Sequence, residues 1–288
     1  MKGIILAGGT GSRLYPTSKA ISKQLIPVYD KPLIYYPLSV LMLAGIKEIL
    51  LITTADHVDL FKKLLGSGEL LGLDISYMVQ ERPEGLAQAF VIGKDFIDGQ
   101  PVALILGDNI FYGEALPRIF NKSVIDNEGA TIYLYQVSDP QRYGIAELDP
   151  SGGVINLIEK PENPKSNWAI TGLYFYDSEV VDIAASLKPS ARGEYEITDI
   201  NLEYLKKGKL KAKKLGRGYV WLDAGTPESL IEASSYVYTL EKRQGLKVAC
   251  LEEIAIKMNY INDDLARSSI KGYEQSDYGV YILKLLGD

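Results

Sequence analysis

The chain is poor in the residues that build covalent and metal frameworks: of its 288 residues one is cysteine, Cys250, and one is histidine, His57. A single cysteine excludes an internal disulfide and a thiolate metal cluster, and a single histidine excludes the usual zinc constellations. Long apolar runs are missing too. No segment approaches the roughly 18 apolar residues of a membrane span, and the opening MKGIILAGG is cut by glycines before it could serve as a signal-peptide core. Positive charge is in deficit, 31 Lys and Arg against 37 Asp and Glu, for a formal net charge of -6. That balance argues against nucleic acid or a membrane surface as partner and leaves room for a local anion site only. A soluble chain of a reducing, cytoplasmic compartment is expected.

What is present is the 47% hydrophobic and 24% charged content of a soluble enzyme with a large core. Short apolar runs alternate with amphipathic stretches, predicting strands over 3–6, 48–53, 75–80, 102–106 and 131–137 and helices over 33–44, 58–65, 86–96 and 114–124. The order implies the α/β class, a doubly wound, mostly parallel sheet buried on both faces. After residue 137 shorter runs at 144–148, 154–158 and 168–176 are separated by Asp-Pro, Gly-Gly and Lys-Pro breakers and read as a small mixed or antiparallel part laid against the first unit. Helices are expected over 193–205 and 228–242. With no repeat and no flexible linker, residues 1–241 are expected to form one domain and 242–288 a helical region packed on it.

The first strand runs into Leu6-Ala7-Gly8-Gly9-Thr10-Gly11-Ser12-Arg13, where glycines permit close backbone approach and turn amide N–H groups toward whatever lies above the strand end. A tight turn is the bland alternative. The loop is neither a Walker A motif, which needs Gly-Lys-Ser/Thr, nor a dinucleotide fingerprint, which needs a glycine where Leu14 stands. Arg13, with Lys19, Lys23 and Lys31 nearby, gives an acidic protein a concentration of fixed cations suited to polyphosphate. Asp108 ends the apolar run Val102 to Leu106, where open α/β sheets bind ligands, and Asp223 ends Val220-Trp221-Leu222. Two such carboxylates could share one Mg²⁺, although Asp223 singly could be a helix N-cap. Glu159-Lys160 reads from the residues alone as a solvated surface pair, with sugar hydroxyls and a phosphate as the rival partners. Tyr143-Gly144 and Thr171-Gly172 are turns that could line a sugar pocket. His57 reads as a capping or surface residue, and Cys250 as buried and inert. No nucleophile-base pair is evident, which suits phosphoryl or nucleotidyl transfer by positioning, metal and fixed cations.

Taken in order, residues 3–14 (GIILAGGTGSRL), 22–28 (SKQLIPV), 80–89 (QERPEGLAQA), 106–109 (LGDN), 158–161 (IEKP) and 221–226 (WLDAGT) closely resemble the sugar nucleotidyltransferases, and more narrowly the long-form thymidylyltransferases that act on glucose-1-phosphate. The resemblance spans essentially the whole chain; Ala224 and Pro227 fall where relatives vary. It implies a nucleotide-diphospho-sugar transferase fold, with residues 1–241 as the catalytic domain. It places Leu6, Ala7, Gly8, Gly9, Thr10, Gly11 and Arg13 around the nucleotide, Lys23 and Gln24 by the triphosphate, and Gln80 and Gly85 at the pyrimidine. Asp108 and Asp223 would bind Mg²⁺. Asn109, Tyr143, Gly144, Glu159, Thr171, Gly172 and Trp221 would line the sugar and Lys160 its phosphate, so that Arg13, Lys23, Asp108 and Lys160 form the implied catalytic set. The implied reaction joins dTTP and glucose-1-phosphate into dTDP-glucose and pyrophosphate, for dTDP-sugar biosynthesis of the rhamnose type. A uridylyl- or cytidylyltransferase and a catalytically dead sugar-nucleotide sensor are the competing readings. The resemblance further implies a homotetramer and a second nucleotide site for feedback inhibition by a dTDP-sugar, with Arg217 and Arg243 as contacts.

Overall fold

Every residue of the first strand, β1 (Lys2–Leu6), is buried, because it runs between two strands of the same apolar character. The computed structural model describes residues 1–9 and 11–287. The other strands are β2 (Pro27–Val28), β3 (Lys31–Pro32), β4 (Glu48–Thr53), β5 (Asp74–Val79), β6 (Val102–Leu106), β7 (Asn109–Tyr112), β8 (Ala130–Gln136), β9 (Gly144–Leu148), β10 (Val154–Glu159), β11 (Trp168–Tyr176), β12 (Leu210–Leu215) and β13 (Val220–Asp223). The helices are α1 (Tyr35–Leu43), α2 (Val58–Leu65), α3 (Gln88–Ile92), α4 (Lys94–Ile97), α5 (Leu116–Ile125), α6 (Val180–Ser186), α7 (Ile197–Lys206), α8 (Pro227–Gln244), α9 (Leu251–Lys257), α10 (Asp263–Ser269) and α11 (Asp277–Leu285).

The main sheet runs β10-β9-β11-β6-β1-β4-β5, with β8 paired to β11 and β12 to β8. The stretch β6-β1-β4-β5 is parallel, and β11 joins its edge antiparallel to β6. Side chains of successive strand residues leave opposite faces, so β1 feeds two cores. Ile5 packs with Leu38 and Leu41 of α1 and Phe120 of α5, whereas Ile4 and Leu6 belong with Phe90 of α3, Val180 of α6 and Ile200 of α7. Helices on both faces make the sheet doubly wound, as the continuous apolar runs predict. Leu251, Ile254 and Ala255 of α9 extend the α1 side of that core, and Ile261 and Ala266 continue it. Among the described residues no helix is long and apolar enough to cross a membrane.

Three local expectations differ from what forms. The predicted helix over 86–96 is two pieces, α3 and α4, separated at Gly93, whose missing side chain admits Ile4 and Leu50 from the sheet. The helix expected from residue 193 begins only at Ile197, because Tyr195 is committed to the loop ahead of α3 by N–H donation to the Glu84 carbonyl. The strands after residue 137 are not a separate layer: β11, β9 and β10 extend the main sheet itself.

Candidate active site

Loops leaving the carboxyl ends of β1 and β6 open onto two adjoining clefts of about 300 and 290 Å³, which share Arg13, Lys23, Asp108 and Glu194 as walls. The glycine loop is shaped by close contacts. A Cβ on Gly8 would lie 2.3 Å from Gln80 Oε1, and Gly9 and Gly11 hold positive φ of 91° and 59°, a region L residues avoid. Gln80 is buried and donates its side-chain N–H to Gln88 Oε1 at 2.6 Å. Gly85, at φ 117°, presses on Tyr195, whose N–H donates to the Glu84 carbonyl (2.7 Å) and whose carbonyl accepts from the Ala87 N–H (3.2 Å). Of the residues expected around the nucleotide, Leu6, Gly8, Gly9, Arg13, Lys23, Gln24, Gln80, Gly85 and Asp108 line the smaller cleft. Ala7 is buried beneath it, Gly11 turns its carbonyl to the Ser18 hydroxyl at 2.6 Å, and Thr10 lies outside the described residues.

The two aspartates, far apart in sequence, are brought together by a small antiparallel ribbon. β7 pairs with β13 so that Asn109 faces Asp223, and the Ala224 N–H donates to the Asp108 carbonyl at 3.0 Å. Burial alone would raise the Asp108 carboxyl, but the Lys23 ammonium bonded to it, with the Asn109 amide, carries it below the ordinary range. Asp223 goes the other way: burial first, and then the Asp108 charge, push it up to about 6 despite Lys23, Arg13 and Arg142. The second carboxylate is thus under-neutralised, and the pair suits a hard, oxygen-seeking divalent cation. Among the described residues no cluster of three or more His, Cys, Asp and Glu able to hold a metal is gathered, so the rest of such an ion's shell would fall to substrate oxygens and water. Asp223 is not a helix N-cap. Thr226 fills that role for α8, its hydroxyl accepting from the Ser229 N–H at 3.2 Å.

The larger cleft gathers most of the residues expected around the sugar. Tyr143 lies against Trp221 with ring centroids 5.1 Å apart, and Glu159 Oε2 accepts from the Thr198 hydroxyl at 2.6 Å. Lys160 Nζ stands 3.6 Å from Glu159 at the mouth, 44% exposed against 21%, so the ion pair read from sequence exists and also walls the cleft. Its backbone holds φ at 40°, an uncommon value for lysine, with the Lys160 N–H donating to the Tyr143 carbonyl at 3.1 Å. Asn109, Gly144, Gly172, Trp221 and Asp223 also line it. Thr171 is fully buried, its hydroxyl has no partner among the described residues, and it does not line the cleft.

Sequence reasoning missed several charged residues here. Arg142 bonds Asp139 at 2.8 Å and stands 3.6 Å from Asp223; its only signal was its place before Tyr143-Gly144. Arg192, just ahead of the segment read as helix, stands 3.4 Å from Glu159 and 3.5 Å from Glu196, and Glu194, inside that segment, walls both clefts. Arg217 and Arg243 stand apart from these clefts and are exposed. Their neighbours Gly218 and Gln244, with Lys247, Glu253 and Lys257, line a third cavity of about 640 Å³ between α1, β7 and α9, which neither arginine lines.

Comparison with known proteins gives the chain's family. Residues 2–239 match the nucleotidyl transferase family. A glucose-1-phosphate thymidylyltransferase of Neisseria meningitidis is 52% identical over 286 residues, covering 99% of each chain, and one of Mycolicibacterium smegmatis is 53% identical over 286 residues with the same coverage. Among solved structures, a Bacillus anthracis protein in complex with sucrose matches at TM-score 0.76 and 44% identity, covering 82% of this chain and 94% of that one. A UDP-glucose pyrophosphorylase complexed with UDP-glucose matches at TM-score 0.73 and 25% identity, covering 83% and 98%. The chain belongs to the nucleotidyl transferase family.

Proposed function

We propose that this chain is a glucose-1-phosphate thymidylyltransferase, joining dTTP and glucose-1-phosphate into dTDP-glucose with release of pyrophosphate. The observation that carries the reading is the meeting of Arg13, Lys23, Asp108 and Asp223 where the glycine-loop cleft joins the Glu159–Lys160 cleft. In that reading the smaller cleft takes the nucleotide, with Gln80 and Gly85 at the base, and the larger takes the sugar phosphate. An oxygen of the sugar phosphate forms a bond to the α-phosphorus of dTTP while the bond from that phosphorus to the bridging oxygen breaks, so no covalent enzyme intermediate is needed. Arg13 spans two phosphate oxygens with its planar fork, Lys23 meets the departing pyrophosphate as a point charge, and Lys160 holds the acceptor phosphate. Asp108 and Asp223 would hold Mg²⁺, which when bound supplies neutralisation of phosphate charge.

The names of relatives at about half identity favour thymidylyl over uridylyl transfer, the latter being carried by the more distant pyrophosphorylase. The third cavity, lined by Gly218 and Gln244 next to Arg217 and Arg243, is the reading's place for a feedback-inhibiting dTDP-sugar, with those two arginines as its nearby anion contacts, and the assembly is read as a homotetramer. Pyrophosphate release from glucose-1-phosphate with dTTP, UTP and CTP in turn tests the main statement. Release with dTTP well above the other two is expected; preference for UTP or CTP moves the chain to the alternative transferases, and no release with any makes it a sensor.

A further inference from the structure

Asn109 was expected to touch sugar, yet its side-chain amide is spent on the protein. Its Oδ1 accepts the Trp221 indole N–H at 2.6 Å and the Gly172 backbone N–H at 3.0 Å, while its Nδ2 donates to Asp108 Oδ1 at 3.0 Å. The residue is 2% exposed. Indole and backbone N–H groups only donate and an ionised carboxylate only accepts, so the amide has one orientation that satisfies all three neighbours. Gly172 lies in the stretch where β11 shifts register against β8, between Ile170 and Tyr174, and a Cβ there would come within 2.5 Å of Asn109 Oδ1. Asn109 also faces Asp223 across the β7–β13 ribbon.

We propose that Asn109 is a positioning residue of the transfer site: its amide ties Asp108 to the strand that carries Asp223 and so sets the relation of the two carboxylates. The inference rests on the transferase reading above. Asn109 acts through Asp108 and touches no reacting atom. Groups that orient a metal-binding carboxylate typically change cation affinity by about 10- to 100-fold when removed.

Two variants separate positioning from sugar contact and from scaffolding. Asn109→Ser replaces the amide that donates to Asp108 with a shorter hydroxyl, and Mn²⁺ titration of the purified full chain, followed by electron paramagnetic resonance, should find cation binding weakened at least tenfold with glucose-1-phosphate affinity within twofold of wild type. Asn109→Asp keeps the oxygen that accepts from Gly172 and Trp221 but sets a second anion against Asp108. It should turn over at least tenfold more slowly with an unchanged glucose-1-phosphate KM, even where the added buried charge lowers its melting temperature. Wild-type Mn²⁺ affinity in the serine variant, weakened sugar-phosphate binding with intact Mn²⁺ binding, or wild-type turnover in the aspartate variant would each overturn the proposal. Pyrophosphate release by the wild-type chain reports separately on the transferase reading.

Discussion

Lys23 closes on Asp108 directly, so the cation expected to meet phosphate and one of the carboxylates expected to hold metal neutralise each other within the protein. Both side chains are largely buried, at 16% and 12% exposure, where charges interact strongly. Substrate and cation binding must therefore divide this pair, and removing either partner alters the other. Asp108→Asn should leave the fold intact and lower turnover by about 10²- to 10³-fold, the cost of deleting one preorganised electrostatic group. Asp223→Asn should act alike, and the double variant should be little worse than either single one if both hold one ion. Pyrophosphate release at saturating Mg²⁺ measures this; near-normal rates would remove the pair from the site.

Arg13 stands beside Asp223, near enough that a Cβ on Gly225 would lie between them, 3.0 Å from Asp223 Oδ1 and 3.2 Å from Arg13 Nη2. If Arg13 and Lys23 stabilise charge that grows as pyrophosphate departs, alanine at either should reduce turnover as well as dTTP affinity. Arg13→Lys should keep attraction but lose the fork and recover only part of the rate. Changes confined to the dTTP KM in all three variants would make these cations ground-state anchors.

At the other cleft, Lys160→Ala and Glu159→Ala should raise the glucose-1-phosphate KM roughly tenfold or more, since a charge-assisted contact contributes about 1.5 to 3 kcal/mol. The dTTP KM should move less. Thr198→Val, which removes the hydroxyl bonded to Glu159, should reproduce part of the Glu159→Ala effect. Unchanged kinetics in both alanine variants would return Glu159 and Lys160 to a surface pair.

The strand ends that build the site were legible in sequence because strands buried on both faces leave continuous apolar runs, and Asp108 stands at the end of one. Arg13 and Lys23 were legible as cations concentrated in an acidic chain. Arg142, Arg192 and Glu194 were not, since nothing local distinguishes them from surface charges; they acquire a place only when the chain folds Asp223 and Glu159 against them. Asn109 was read as a sugar contact, but an amide oxygen that accepts from residues 63 and 112 positions away leaves no local signature.

Lys31 is 3% exposed and bonded to Asp30 and to Glu241 of α8, the latter at 2.9 Å, with Lys247 adding a bond to Glu241 at 3.0 Å. Breaking a buried pair from one side typically costs about 3 to 5 kcal/mol because a charge is left uncompensated. Lys31→Met should destabilise by an amount near the lower figure, since Lys247 remains, and Lys31→Met with Glu241→Leu should recover part of the loss. Denaturant midpoints would check both, and an unchanged midpoint in the single variant would mean the network contributes nothing net.

Cys250 is buried, and that burial, with the neighbouring Glu252 charge, pushes its thiol up to about 12. The folded chain should resist alkylation at pH 8, with reaction appearing only on unfolding. A raised folded value means the proton is held better in the fold. The group's contribution to stability is therefore complete below the unfolded thiol value of about 8.5 and is lost as pH rises from there toward about 12. Cys250→Ala should flatten that alkaline decline in melting temperature; an identical slope would show that other groups govern it.

The contact of Gly85 with Tyr195 fastens one wall of the smaller cleft to the segment that supplies Glu194, Glu196 and Thr198 to the larger one. Anyone grafting loops to change base preference would meet this coupling first. A chimera exchanging residues 81–86 alone would inherit a mismatched partner at 194–196 and disturb the larger cleft too, so the two segments are best transplanted as one cassette.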